Sequence, residues 1–213
     1  DAKCSMHLLA KRAALVRNTV RSLEDARKLV EANSWTAPSG VPRVAVYPGS
    51  FNPPSKVHVE IVKKILELPD VDVLWMDMTL HKGKKLYVAE VVADRCRMAE
   101  LAVAHLERVG VTVLQAEMGE AGWGVEYFET VRQLVGCGGG AHLTWIMGSD
   151  VVFNMHYWAA KAKVLLQQCA QIVIFQRDHS SDEIVDAIET VMGKNRTELE
   201  QCGFRITVLQ VDD

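Results

Sequence analysis

The sequence predicts an α/β domain built on a doubly wound parallel sheet, preceded by a helical N-terminal extension. From Arg43 onward, short β-branched runs alternate with longer stretches of helical period, as successive βαβ units require. Several of the short runs are apolar throughout instead of alternating, which suits strands covered by helices on both faces. Size agrees with this, since 213 residues of 49% apolar composition fit one domain with a substantial core.

Taken in order, residues 1–35 are rich in helix formers, and Ser22 followed by Asp25 resembles a capping signal, so this stretch reads as the extension. The segment 36–42 carries Pro, Ser and Gly and reads as a linker to a domain over 43–213. Strands are expected at 44–47, 71–76, 111–114, 142–147, 171–175 and 204–209. Between them, Ile61, Ile65 and Leu66 mark the apolar face of one helix, and Met98, Leu101 and Ala102 that of the next. Near the end, Ile184, Val185, Ile188, Val191 and Met192 follow helical spacing behind a Ser180/Glu183 capping box. In such sheets ligands bind beyond the carboxyl ends of the strands, which directs attention to the loops after Tyr47, Met76, Leu114 and Met147.

Composition narrows the function. Lysine plus arginine (24) nearly balances aspartate plus glutamate (27), so the chain has no basic field to hold a nucleic acid. No apolar run approaches the roughly 20 residues of a membrane-spanning helix, and no signal-peptide pattern opens the chain, so a soluble cytoplasmic or nuclear protein with no membrane partner is expected. Cys4, Cys96, Cys137, Cys169 and Cys202 are scattered, without zinc-site spacing, and read as reduced cysteines with no metal role.

The chemistry is expected directly after the first strand, at Gly49-Ser50-Phe51-Asn52-Pro53-Pro54-Ser55-Lys56-Val57-His58. Gly49 lets a backbone approach a bulky ligand, and Ser55 is placed to cap a helix whose free N–H groups would welcome a phosphate. His58, about one turn in, could add a hydrogen bond or a positive charge there. After the fourth strand, Gly148 permits close approach, and Asp150 reads either as an acceptor for ribose hydroxyls or as a helix cap.

The spacing Gly-x-Phe-x-Pro-x-Ser-x-x-His resembles the signature of the nucleotidyltransferase superfamily related to class I aminoacyl-tRNA synthetases. Within it, Gly-Ser-Phe-Asn-Pro looks most like the nicotinamide or nicotinate mononucleotide adenylyltransferases. Ser55 stands where many bacterial relatives have His and eukaryotic ones commonly have Thr, so it keeps a hydroxyl and leaves the imidazole contact to His58. Leu80-His81-Lys82 resembles the family's Pro-His-Lys turn, whose lysine reaches toward phosphates, while Lys84 and Lys85 read as solvated. Arg95 and Met98 resemble a helix start of mainly structural role, and Trp123 either covers the pyridine ring or packs. Gly148-Ser149-Asp150 resembles the Gly-Ser-Asp motif, Trp158 a tryptophan that stacks on the ring, and Phe175-Gln176-Arg177 a turn carrying a cation into the nucleotide site.

The resemblance covers about residues 43 to 211 and implies a Rossmann-like nucleotidyltransferase fold. It implies transfer of the adenylyl group of ATP, with Mg²⁺, to nicotinamide or nicotinate mononucleotide, giving NAD or its acid form and pyrophosphate. His58 and Lys82 would be catalytic. Gly49, Ser50, Phe51, Ser55, His58, Gly148, Asp150 and Arg177 would contact ATP, and Ser50, Phe51, Lys82, Trp123 and Trp158 the mononucleotide. Family members often form homo-oligomers. The family's Ile-Ser-Ser-Thr-x-x-Arg phosphate motif would follow the last strand, so the chain is expected to be truncated before it. Another adenylyl- or cytidylyltransferase, or a nucleotide-binding regulator without turnover, are the alternatives, and the choice of acid or amide stays open.

Overall fold

A computed structural model describes residues 43–79, 89–118, 124–136, 142–177 and 179–211. The expected helical extension and linker lie outside these residues, as do Leu80, Lys82, Lys84, Lys85 and Trp123.

Six parallel strands among the described residues form one sheet: β1 (Arg43–Gly49), β2 (Val73–Met78), β3 (Val109–Thr112), β4 (His142–Gly148), β5 (Gln171–Gln176) and β6 (Arg205–Gln210), in the order β3-β2-β1-β4-β5-β6. The helical segments are α1 (Lys56–Leu66), α2 (Ala89–Ala102), α3 (Leu114–Glu117), α4 (Val125–Gly136), α5 (Ser149–Asn154), a 3-10 turn (Met155–Trp158), α6 (Ala159–Leu166), α7 (Ser181–Met192) and α8 (Arg196–Gln201). Strand order runs outward in both directions from the β1/β4 pair, so the chain winds its helices onto opposite faces and leaves a crevice between those two strands.

The two-residue period of a strand explains how one short run serves two cores. Ala45 and Tyr47 of β1 pack with Ile61, Val62 and Ile65 of α1, whereas Val44 and Val46 pack with Tyr127, Phe128 and Val131 of α4. A third cluster joins Ile172 and Ile174 of β5 to Ile184, Ile188 and Met192 of α7. Burial of each such isoleucine contributes about 2 kcal/mol. The Ser180/Glu183 capping box is present, with Ser180 N–H donating to Glu183 Oε2 at 2.8 Å, and α7 stops at Gly193, whose φ of 64° is the left-handed helix end glycine tolerates best.

Three expectations shift. β2 begins and ends two residues later than expected, because Pro48 and Gly49 of β1 pair with Asp77 and Met78. β3 starts two residues earlier, at Val109 opposite Leu74, and Leu114 opens α3 instead of ending a strand. The third concerns α2, whose inner face is Val92, Cys96 and Ala99 at the first core, followed by Val103 just past its end, while Leu101 is 61% exposed. Arg95, on that same inner face, is fully buried.

Candidate active site

At the mouth of β1 the chain turns back on itself. Phe51 adopts φ 44°, an uncommon conformation for a non-glycine residue, and tucks its ring, 2% exposed, edge-on against Tyr47 at 5.1 Å and His58 at 5.3 Å. That ring lies so close to Gly49 that a Cβ there would come within 2.7 Å of it, which is why the position takes glycine. Phe51 therefore borders the cavity mainly as the residue that shapes its loop.

Ser55 caps α1, and the box is closed by His58 instead of an acidic residue. Ser55 N–H donates to His58 Nδ1 at 2.9 Å and Ser55 Oγ lies 2.7 Å from the same nitrogen, while His58 N–H donates back to Ser55 Oγ at 3.4 Å. With Nδ1 accepting, the ring proton of neutral His58 resides on Nε2. Burial, reinforced by the nearby Arg177 charge, lowers the His58 pKa, so at neutral pH the imidazole is an uncharged N–H donor rather than a fixed cation.

Across the crevice, β4 ends at Gly148, which is itself the N-cap of α5; no side chain caps this helix, so Asp150 is free of the capping role considered for it. A Cβ on Gly148 would collide with Asp150 and sit 3.0 Å from the Phe175 ring. Arg177, just past β5, lies 5.1 Å above that ring and 3.8 Å from Asp150 Oδ1, and its N–H donates to Ser149 Oγ at 3.3 Å. Both partners of the ion pair are half-exposed, so it stabilises by about 1 kcal/mol or less and leaves Arg177 available.

These elements enclose a cavity of about 410 Å³, walled by Gly49, Ser50, Phe51, His58, Gly148, Asp150 and Arg177 among others. A second cavity of about 390 Å³ abuts it, walled by Tyr127, Phe128, Trp158 and Lys161, and the two share Pro48, Gln115, Trp145 and Val151. His58 and Trp158 thus border adjoining compartments of one cleft. Ser55 stays outside the walls, in contact with His58, while Lys82 and Trp123 fall outside the described residues.

Several wall and support residues were not singled out as site residues by the sequence. Trp145, Gln115 and Thr79 lie within or beside apolar strands and carry no motif. Asp77 did offer a signal, a carboxylate inside an apolar run, because a buried charge needs partners. It is fully buried, accepting from Tyr127 Oη at 2.6 Å and from Gln115 N–H at 3.2 Å, and so anchors two residues that face the second cavity. Burial pushes its carboxyl up from 3.8 to about 6 against those hydrogen bonds. Folded protein therefore holds this proton more tightly than the unfolded chain: the stabilisation is complete below pH 3.8 and is lost as pH rises through about 6. Subtracting the stability of Asp77→Asn from wild type should give a difference that falls by about 3 kcal/mol across that window. Urea midpoints at half-unit pH steps measure it, and a flat or rising difference contradicts the assignment.

A doubly wound parallel sheet with a capped helix start and a two-part cleft at its strand-order reversal defines an α/β protein whose ligand site lies beyond its strand ends. The chain belongs to the cytidylyltransferase-like family, whose model matches residues 46–198, and thereby to the nucleotidyltransferase superfamily. Among curated proteins it is 30% identical over 132 residues to a probable nicotinate-nucleotide adenylyltransferase of a Synechococcus species, covering 62% of this chain and 63% of that protein. It is 27% identical over 135 residues to one from a Nitratiruptor species, covering 63% of this chain and 73% of that one. The chain thus spans a little under two thirds of the Synechococcus protein's length. Its fold matches the Plasmodium falciparum nicotinic acid mononucleotide adenylyltransferase complexed with NaAD, with TM-score 0.58 and 16% identity over 81% of this chain and 76% of that one. No helix among the described residues is long and apolar enough to cross a membrane.

Proposed function

We propose that this protein transfers the adenylyl group of ATP to nicotinate mononucleotide and releases pyrophosphate. The observation that carries this reading is the abutment of two unlike compartments. One lies beside the start of α1 with His58 and Arg177 on its walls, suited to a polyanion; the other offers Trp145 and Trp158, suited to a flat electron-poor ring. The names of the relatives point the same way.

The 5′-phosphate oxygen of the mononucleotide attacks the α-phosphorus of ATP in line. The new P–O bond forms as the bond from the α-phosphorus to its bridging oxygen breaks, and that electron pair leaves with pyrophosphate. Such a step needs positioning and charge stabilisation more than covalent chemistry from the protein. The α1 N–H groups, His58 Nε2–H and Arg177 supply donors and charge, and Trp158 covers the ring; by the family resemblance Lys82 would add a second cation and Trp123 a further ring contact. Ser50, Gly148 and Asp150 border the ATP. Asp150, the carboxylate on this cavity's wall among the described residues, would be the residue placed to hold a hydrated Mg²⁺ entering with ATP, and that ion would supply neutralisation of triphosphate charge.

Lys161 favours the acid over the amide. It is the charged side chain on the indole-lined compartment's wall among the described residues, where it can pair with a ring carboxylate but gains nothing from a carboxamide. Lys161→Met is expected to lower kcat/KM for nicotinate mononucleotide about fivefold and to leave the value for nicotinamide mononucleotide nearly unchanged. Equal effects on both substrates remove Lys161 from this role.

The reaction is tested by following pyrophosphate release with ATP and Mg²⁺ against nicotinate mononucleotide, nicotinamide mononucleotide and phosphopantetheine in parallel, then with CTP in place of ATP. Fastest release is expected with ATP and nicotinate mononucleotide. Turnover only with another pair, or with none, refutes the assignment.

A further inference from the structure

Thr79 sits at the head of the cleft and is 4% exposed, yet among the described residues nothing hydrogen-bonds to its Oγ1. Buried hydroxyls are normally paired, because one stripped of water without a partner destabilises the fold. Thr79 is among the residues that wall the first cavity, with its Oγ1 just beneath the surface. Its backbone is held from both sides: the Thr79 N–H donates to Gly49 O at 3.0 Å, and its carbonyl accepts from both terminal nitrogens of Arg95 at 3.2 Å. The backbone of Thr79 is therefore fixed in place while its hydroxyl stays unpaired among the described residues.

The side of the sheet it serves follows from the strand period. The Thr79 bond to Gly49 carries the β1–β2 ladder one residue past Met78, so Thr79 stays on the face of Asp77, two residues earlier. That is the face of Gln115 and Tyr127, which lead to the indole-lined compartment, and not the face covered by α1. Resting on the function proposed above, we propose that Thr79 Oγ1 donates a hydrogen bond to the 5′-phosphate of the mononucleotide, the group that attacks ATP, fixing it at the junction of the two compartments.

Thr79→Val is isosteric and removes only the hydroxyl, so a ligand contact and a structural contact give opposite signatures. With purified full-length chain, Thr79→Val should lower kcat/KM for nicotinate mononucleotide about 10- to 100-fold, the range for a hydrogen bond to a charged group. It should change the KM for ATP by less than about twofold and leave the thermal midpoint equal or higher. Thr79→Ser should keep most of the activity. Titration of intrinsic tryptophan fluorescence with nicotinate mononucleotide should show the same weakening without turnover. Unimpaired Thr79→Val overturns the contact alone, as does a loss that falls equally on ATP or that comes with a lower melting point and no rescue by serine. Wild-type protein that neither binds nor converts the mononucleotide overturns the function and the contact together.

Discussion

Replacing His58 by alanine is expected to lower kcat by about 10²- to 10³-fold, the usual cost of deleting one donor aimed at developing charge, while the mononucleotide KM moves by less than about threefold. The capping box complicates the reading, since Nδ1 also accepts from Ser55 and alanine would loosen the helix start as well. Glutamine separates the two roles. At the third helical position it closes a capping box as well as histidine does, so His58→Gln should restore the melting temperature lost by alanine. Its amide NH₂ is a donor too, but with Oε1 engaged by the Ser55 N–H it is not carried on a ring seated between Tyr47 and Phe51, so kcat should recover only in part. Steady-state kinetics and thermal melts on the two variants decide this, and near wild-type turnover in either one contradicts the role given to His58.

Arg95→Leu should produce the largest loss of stability. The guanidinium is completely buried and donates to Ser50 O at 2.8 Å and to Thr79 O at 3.2 Å, so one side chain of α2 ties the loop after β1 to the end of β2. Leucine fills part of the volume and leaves both carbonyls without their charged donors, a loss of about 3 kcal/mol or more. In a chain of this size that lowers the melting point by about 6 to 12 °C. Activity should fall with it, because Ser50 and Thr79 both border the cavity. Lysine should rescue poorly, since a single ammonium lacks the planar fork that serves both carbonyls. A melting point within about 2 °C of wild type for Arg95→Leu would show that the clamp is not needed.

Local patterns were read well from the sequence because their causes lie within a few residues. Ser55 and His58 are three positions apart, as are Ser180 and Glu183, and both pairs close capping boxes whose geometry depends only on the first helical turn. All six strands were found, since apolar β-branched runs between helices have few other solutions, though β2 and β3 were displaced by two residues where pairing with a neighbour set the limits. The inner face of α2 was misjudged because small residues, Cys96 and Ala99, and a charged one, Arg95, are buried there, while Leu101 faces solvent. An arginine is drawn inward only when carbonyls wait for it, and those belong to loops about 16 and 45 positions away in the chain.

From the sequence alone came the alternating architecture, Gly49 as a position that takes glycine, the capped helix start bearing His58, and Trp158 and Arg177 as candidates, whereas the Phe51 ring that requires that glycine emerged only in three dimensions. Tertiary structure decided what meets what. It set the strand order that opens the crevice between β1 and β4, the two compartments that bring His58 and Trp158 to one cleft, and the Asp77–Tyr127 contact across 50 residues of chain. Caps and periodicities are fixed by neighbours along the backbone, whereas a binding site is assembled by the packing of distant segments, whose pairing no local pattern encodes.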